Sequence, residues 1–589
     1  MKKLALALTA LLLTAPAAFP QELSAADLDR RRVALRDLLN EQWEYTLRTS
    51  PEFASILGDR RYNDRLSDVS PAAVKADLET SRRFLRRFDA ISTVAFSDQE
   101  KLNRDLMIKG LRDSLEGAKF NNWQMPVNQM SGVHLFAPQL PSMIPFTTVK
   151  DYDDYIVRLA RFAKVLDDTT ANMRKGMAAH LMPPKFLLDQ VAEQVNGIAT
   201  QAPEESPFAM ALQSMPESFS AEEKERIRNA MLAKVRNDVL PAYAKFAKFV
   251  REEYAPKGRT DVGVWSLPDG KARYAFLAKA STTTNLTPDE IHEIGLREVA
   301  RIEGEMLAIA KKLGFNDLKS FNASLETNPE VKVHSGEEIL AAYRKYTDQM
   351  YAKLPQLFGR LPKAKMEVVP TQPFREKSAA SAEYNTGSPD GSRPGRVFVN
   401  TYQAETRKTL SQESTAYHEG VPGHHMQLSI QQELTDLPPF RQQGGETAFV
   451  EGWALYSERL GKEVGFYQNP YSDYGRLNDE MLRAIRLVVD TGLHAKKWTR
   501  DDVVKFFRDH SAIDEVEIQA ETDRYISWPG QALAYKIGQL KILELRERAQ
   551  RELGAKFDIR RFHDEVLSAG ALPMSQLETR IDAWIVGEK

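Results

Sequence analysis

Apolar side chains recur at three- and four-residue intervals through six long stretches of this chain, over residues 25–50, 71–91, 98–115, 151–182, 221–254 and 288–313, each among dense charge. A period near 3.6 gathers such positions on one face, so each stretch predicts an amphipathic helix that must hide its stripe against another. The chain is thereby confined to a mainly α body. Its 42% hydrophobic residues supply enough apolar mass for a substantial core. Thr287 before Pro288-Asp289-Glu290 reads as a cap and first helical turn. His292-Glu293 on that helix has no second histidine nearby and reads as a solvated surface pair. A formal charge of −2 provides no strongly basic face, so no nucleic-acid partner is expected.

The helical pattern lapses between Pro362 and Thr401. Met366-Glu367-Val368-Val369 and Arg396-Val397-Phe398-Val399-Asn400 are β-rich runs, separated by a Ser-, Gly- and Pro-rich loop through Gly387-Ser388-Pro389-Asp390-Gly391. They predict a small antiparallel sheet. Its edge either only packs or binds an extended peptide through its main chain, with Asn400 as a substrate contact.

Three of the ten histidines then fall within eight residues, in Tyr417-His418-Glu419-Gly420-Val421-Pro422-Gly423-His424-His425, and the carboxylate segment Val450-Glu451-Gly452-Trp453-Ala454 follows. An open catalytic zinc site uses such parts: three protein ligands, often two His and one Glu, a position for water, and a Glu beside the first His to take a proton. In H-E-x-x-H the two His share a helix face one turn apart. Here Pro422 stands where the second would be. His424 lies about 240° around an ideal helix from His418, and His425 returns to the same face but roughly 10 Å along the axis. Pro422 disfavours helix at Val421, and Gly420 and Gly423 permit unusual backbone angles, so a bulge or short loop is expected there. That loop would bring His424 into the second ligand position beside His418. His425 would then support the ligands or touch substrate. Whether His424 or His425 closes the site stays open at this point. The chain has no cysteine, so a metal site must be built from His and carboxylates. Glu458 shares the face of Glu451 two turns on and reads as a support or surface residue; Trp453 and Tyr456 read as packing residues.

The stretches HEGVPGHHMQ, FVEGWALYSE, RLVVDTGLH and RYISWPGQALAYKIG resemble the bacterial domain-of-unknown-function 885 family, which is grouped by similarity with the gluzincin metallopeptidases. The resemblance runs over nearly the whole mature chain. Gly423-His424-His425-Met426-Gln427 is similar to the Gly-His followed by Gln of helical oligopeptidases and carboxypeptidases related to angiotensin-converting enzyme, although the two-residue insertion departs from their pattern. The resemblance implies a large two-lobed helical body with a deep cleft: an N-terminal helical lobe over residues 21–330 and a metal-binding catalytic lobe over 331–589, with the small sheet before the metal helix. It assigns Glu451 as third ligand of one Zn2+, with His418 and His424, and makes the chain a zinc peptidase of small peptides with Glu419 as general base. Downstream, Tyr525 or His494 would assist the oxyanion, while Arg524 and Tyr535 would contact substrate. The same zinc chemistry would serve an amidohydrolase of a non-peptide amide or cell-wall fragment. A periplasmic binding protein without turnover is the third reading, and it would have no need of Glu419.

Met1-Lys2-Lys3, the apolar run of residues 4–13 and Ala15-Pro16-Ala17-Ala18 predict an export signal over residues 1–20. The run is shorter than the about 20 apolar residues of a membrane span. With no cysteine to carry a lipid, the expected location is periplasmic or secreted, without membrane insertion after cleavage.

Overall fold

The computed structural model describes residues 24–372, 376, 379–389, 391 and 393–589; the expected export signal lies outside them. Helices α1 (Ala25–Thr49), α2 (Pro71–Asp89) and α3 (Asp98–Gly117) match the first three periodic stretches and pack around Leu35, Leu39, Phe84, Phe88 and Ile108. The next stretch divides into α4 (Val149–Leu159) and α5 (Phe162–Ala178), followed by α6 (Lys185–Ala199). Over 221–254 the chain stays helical, but α7 (Ala221–Lys234) and α8 (Leu240–Phe249) are each followed by a wide π turn. Pro241 and Pro256 explain both turns. Each lacks an N–H and crowds the carbonyl one turn back, and a widened turn absorbs the mismatch.

Helices α9 (Gly270–Thr282), α10 (Pro288–Lys312) and α11 (Gly336–Tyr351) complete the part before the sheet. Thr287 caps α10 reciprocally with Glu290, as the sequence predicts.

The sheet is mixed, not antiparallel. Its strands β1 (Met366–Pro370), β2 (Ala382–Asn385) and β3 (Gly395–Val399) lie in the order β1-β3-β2. The two β-rich runs pair in parallel, Met366 opposite Gly395, and β2 adds to the other side of β3 antiparallel, Ala382 opposite Val399. A parallel pair needs a long crossover, and the segment between the runs supplies it. The second β-rich run is therefore the central strand, and the edges are β1 and β2.

Beyond the sheet come α12 (Gln412–Glu419), α13 (His424–Gln432), α14 (Thr447–Glu463), α15 (Pro470–Ala495), α16 (Glu515–Ser527), α17 (Leu533–Leu553) and α18 (Met574–Glu588). Helices α14 and α17 touch backbone to backbone: a Cβ on Gly452 would stand 2.5 Å from Gly538 Cα, and one on Gly538 would overlap the Ala448 carbonyl. The sheet packs through Ala382, Val397 and Val399 on Ile339, Leu340, Tyr343 and Ala416, and a larger core beside it joins Tyr417, Met426, Trp453, Leu545 and Ile581. A second cluster joins Leu187, Val299 and Ile302 to Ile485, Val488 and Tyr525, so apolar packing runs across position 330. His292 is 6% exposed within the contact of α10 with α15, and its Nδ1 lies 2.8 Å from Thr491 Oγ1. It is not a solvated residue; periodicity marks a helix face but not how far a neighbour covers that face's edge. Among the described residues no helix is long and apolar enough to cross a membrane.

Candidate metal centre

The helix that begins with Gln412 stops at Glu419 and a new one starts at His424. Between them Gly423 N–H turns back to Tyr417 O at 3.0 Å and His425 N–H to Gly420 O at 3.1 Å, so the break carries its own backbone bonds. Only glycine fits at 423, because a Cβ there would overlap the carbonyls of Tyr417 and His418. The Val421–Pro422 peptide is cis. The Trp453 indole N–H, fully buried on α14, donates to Pro422 O at 2.8 Å and fastens the turn to the helix that carries Glu451.

With the turn so held, His418, His424 and Glu451 converge. Their ligand atoms all lie within 4.8 Å of one another, and the two imidazole planes are perpendicular, 4.8 Å apart. Glu451 Oε2 is 3.4 Å from His424 Nε2 and 3.8 Å from His418 Nε2. Donors around a tetrahedral zinc at about 2.1 Å would sit about 3.4 Å apart; the Glu451–His424 pair has that spacing, and the remaining pairs are wider but within 4.8 Å. Glu458 lies behind His418, its Oε1 2.7 Å from His418 Nδ1, an arrangement that aims Nε2 at the centre. Glu419 Oε1 is 4.0 Å from His418 Nε2 on the other side. The His424 and Glu451 side chains retain 11% and 19% exposure, against 4% for His418, so the centre is open from their side.

Three carboxylates around two imidazoles give this corner a negative field that favours a cation. Burial opposes charge on His418, but Glu451 and Glu458 outweigh it and raise the imidazole to about 10. Burial raises Glu419 above the ordinary carboxylate range; it acts in the same sense on Glu451, where the neighbouring His424 and His418 overcome it and hold the carboxyl well below. His425 is not part of the cluster. Its Nδ1 faces Tyr384 Oη on β2 at 2.9 Å and Ser429 Oγ at 3.3 Å, and burial lowers it to about 4.

With this geometry in view, comparison with known proteins gives a family. Residues 51–581 match the family model described as "Bacterial protein of unknown function (DUF885)". The chain belongs to the DUF885 family. A solved structure, a provisionally assigned lipoprotein from Colwellia psychrerythraea, is similar at 30% identity and a TM-score of 0.90, over 95% of this chain and 99% of that one. A second, a provisionally assigned lipoprotein of unknown function from Shewanella oneidensis, shares the fold at 16% identity and a TM-score of 0.68, over 92% and 99%. No curated protein matches.

The other residues singled out from this DUF885 sequence serve mostly as scaffold. His494 is buried between Val264 N–H, which donates to Nδ1 at 3.1 Å, and Tyr525 O, 3.0 Å from Nε2, which leaves no ring nitrogen for an oxyanion; burial lowers it to about 3. Tyr525 is also fully buried, its hydroxyl donating to Glu521 and accepting from Arg486 Nε at 3.0 Å. Asn400 is spent on backbone, donating to Glu376 O at 2.7 Å and Ala379 O at 3.0 Å and accepting from Tyr402 N–H at 3.0 Å. Arg524 binds Glu521 and donates to Gln531 Oε1 and Tyr535 Oη, both at 3.1 Å. Tyr535 alone of these keeps its own hydroxyl proton uncommitted among the described residues. It stands one turn before Gly538, which packs on Gly452 beside Glu451. Sequence reasoning missed the turn clamp of Trp453 and the Tyr384 contact. A tryptophan two residues after a carboxylate carries no mark that separates packing from clamping, and Tyr384 sits in a strand too short to read.

Proposed function

We propose that this chain is an exported zinc-dependent peptidase that hydrolyses small peptides. The observation that carries the reading is the convergence of two imidazole nitrogens and one carboxylate oxygen, from His418, His424 and Glu451, with Glu419 beside them. Zinc, when bound there, supplies a Lewis acid that polarises a scissile carbonyl and makes a nearby water more acidic. Glu458 keeps His418 in the tautomer whose Nε2 lone pair faces the centre. Glu419 takes the water's proton and passes it to the leaving amine. Tyr535, with Arg524 polarising its hydroxyl, takes the oxyanion role in place of Tyr525 and His494. The edge strand β2, next to His425 through Tyr384, is the proposed place for an extended peptide to add main-chain bonds.

The likeness of HEGVPGHHMQ to the gluzincin motif supports this reading, and the two-lobed body with a cleft belongs to the same proposal. For location, the Colwellia relative is described as a lipoprotein. This sequence has no cysteine, the residue that would carry a lipid, and export behind the leader of residues 1–20 is proposed. The test is metal analysis of the purified chain, followed by digestion of a peptide library with and without a chelator. Stoichiometric zinc and chelator-sensitive cleavage are expected, and Glu419→Gln keeps zinc while losing cleavage. Full turnover by that variant removes Glu419 as the base.

A further inference from the structure

A pocket of about 410 Å3 lies between the segment just after α16, the start of α6 and one side of α9, and it shares no lining residue with the His418–His424–Glu451 cluster. Most of its wall is apolar, with Met125, Leu187, Leu267, Leu277, Ile526 and Trp528. Two arginines, Arg259 and Arg273, line it as well. Their partners are all neutral. Arg259 donates to the carbonyls of Met182 (3.0 Å), Gly263 (2.8 Å) and Asp261 and to Ser266 Oγ (3.3 Å). Arg273 donates to Phe120 O (2.8 Å) and to the Asn122 side chain. Arg273 is only 2% exposed, and its Nε is buried without a partner. Burial lowers both guanidinium groups, Arg259 to about 10; the charges of Asp261 and Asp269 oppose it on Arg259 and Arg273 without overcoming it, and the charge of Arg273 presses Arg259 further down.

Buried charges in folded proteins are ordinarily matched by an opposite charge, because an unmatched one bears its desolvation cost alone. Two guanidinium groups on one small, otherwise apolar cavity, with Asp261 and Asp269 acting on them only at a distance and no carboxylate bonded to either, are therefore an incompletely matched positive site, and their planar forks suit a carboxylate. The volume is that of a small-molecule pocket. An apolar wall leaves room for one charged head only. We infer that this pocket binds a small amphiphilic carboxylate, its head on Arg259 and Arg273 and its apolar body along Leu277, Ile526 and Trp528. The inference is independent of the peptidase reading. Such a ligand is either a short fatty acid or an acylated apolar amino acid.

Two acid and neutral pairs separate the sources: octanoate against 1-octanol, and N-acetylphenylalanine against its amide, each titrated calorimetrically into the intact chain. One acid is expected to bind with single-site stoichiometry at least about tenfold more tightly than its neutral partner, as a charge-assisted bond to buried arginine requires. The acid that binds better names the source. Arg273→Gln is expected to erase the preference. Leu277→Trp, which fills the cavity from the apolar side and leaves both arginines in place, is expected to abolish binding. The inference is overturned if neither acid binds saturably, if acid and neutral partner bind equally, or if a folded Leu277→Trp chain binds like the parent. Should Arg273→Gln fail to fold, the acid and neutral comparison and the Leu277→Trp result decide alone.

Discussion

Replacing Glu458 by Gln tests how the centre is built without touching a proposed ligand. Glu458 Oε1 lies 2.7 Å from His418 Nδ1, and the side chain is 3% exposed. Gln conserves the volume and can still accept a hydrogen bond, so the ring keeps its orientation and loses only the negative charge behind it. A bond to a charged group is worth about 1.5–3 kcal/mol against about 1 kcal/mol for a neutral one. The difference of about 0.5–2 kcal/mol converts to roughly 2–30 fold in a dissociation constant. Its upper part overlaps the about 10–100 fold typical when a partner behind a ligating histidine is lost. The metal-free chain should also lose stability, since Glu458 helps hold His418 as a buried cation and the substitution leaves that charge less well matched, so folding is verified separately from zinc affinity. The assay is zinc competition against a fluorescent chelator, with circular dichroism to verify folding. A folded variant whose zinc affinity stays within about twofold of the parent would refute the argument that Glu458 strengthens His418 as a donor.

Two further outcomes follow from packing and charge. Gly538→Ala drives a methyl into the Ala448 carbonyl and pushes α14 from α17, and is expected to cost about 1–3 kcal/mol in thermal unfolding; Gly304→Ala on α10, with open space around its Cβ, should instead gain about 0.5–1 kcal/mol, and equal effects at both sites would contradict the close contact. Asp490 is buried against Tyr274 Oη at 2.5 Å and Gly530 N at 3.0 Å, and burial raises its carboxyl to about 7. Between an unfolded value near about 4 and that value the folded chain holds a proton the unfolded chain has released, so stability falls as pH rises through this window. Denaturant melts across the window should show a flatter fall for Asp490→Asn, and parallel curves would remove Asp490 as the cause.

The parts of the molecule legible in sequence are those that repeat a local rule. Thr287 capping Glu290 is local chemistry, and the structure has it as read. The pairing of His418 with His424 was also legible, since Pro422 and two glycines announce a break and the ring atoms lie six residues apart on either side of it. Strand direction was not. Met366–Pro370 and Gly395–Val399 have the same composition whether paired parallel or antiparallel, and the four residues of β2 are too few to show a period. His494 and Tyr525 failed for a different reason: a polar group set in an apolar helix looks alike whether it serves substrate or caps a neighbour's carbonyl. Only the position of the partner, remote in sequence, separates the two.

The break between α12 and α13 also changes what sets the gap between the two imidazoles. On one unbroken helix the gap follows from pitch and cannot be altered without moving a whole turn of side chains. Here His418 and His424 ride on separate helices that both lean on α14, and residues 420–423 bridge them, anchored by one indole. The gap becomes an adjustable length. Substitutions at Val421 and Pro422, the two residues of that bridge not held to glycine, would widen or narrow the separation of the two imidazoles, and on the proposed metal reading that separation would select among ions of different radius.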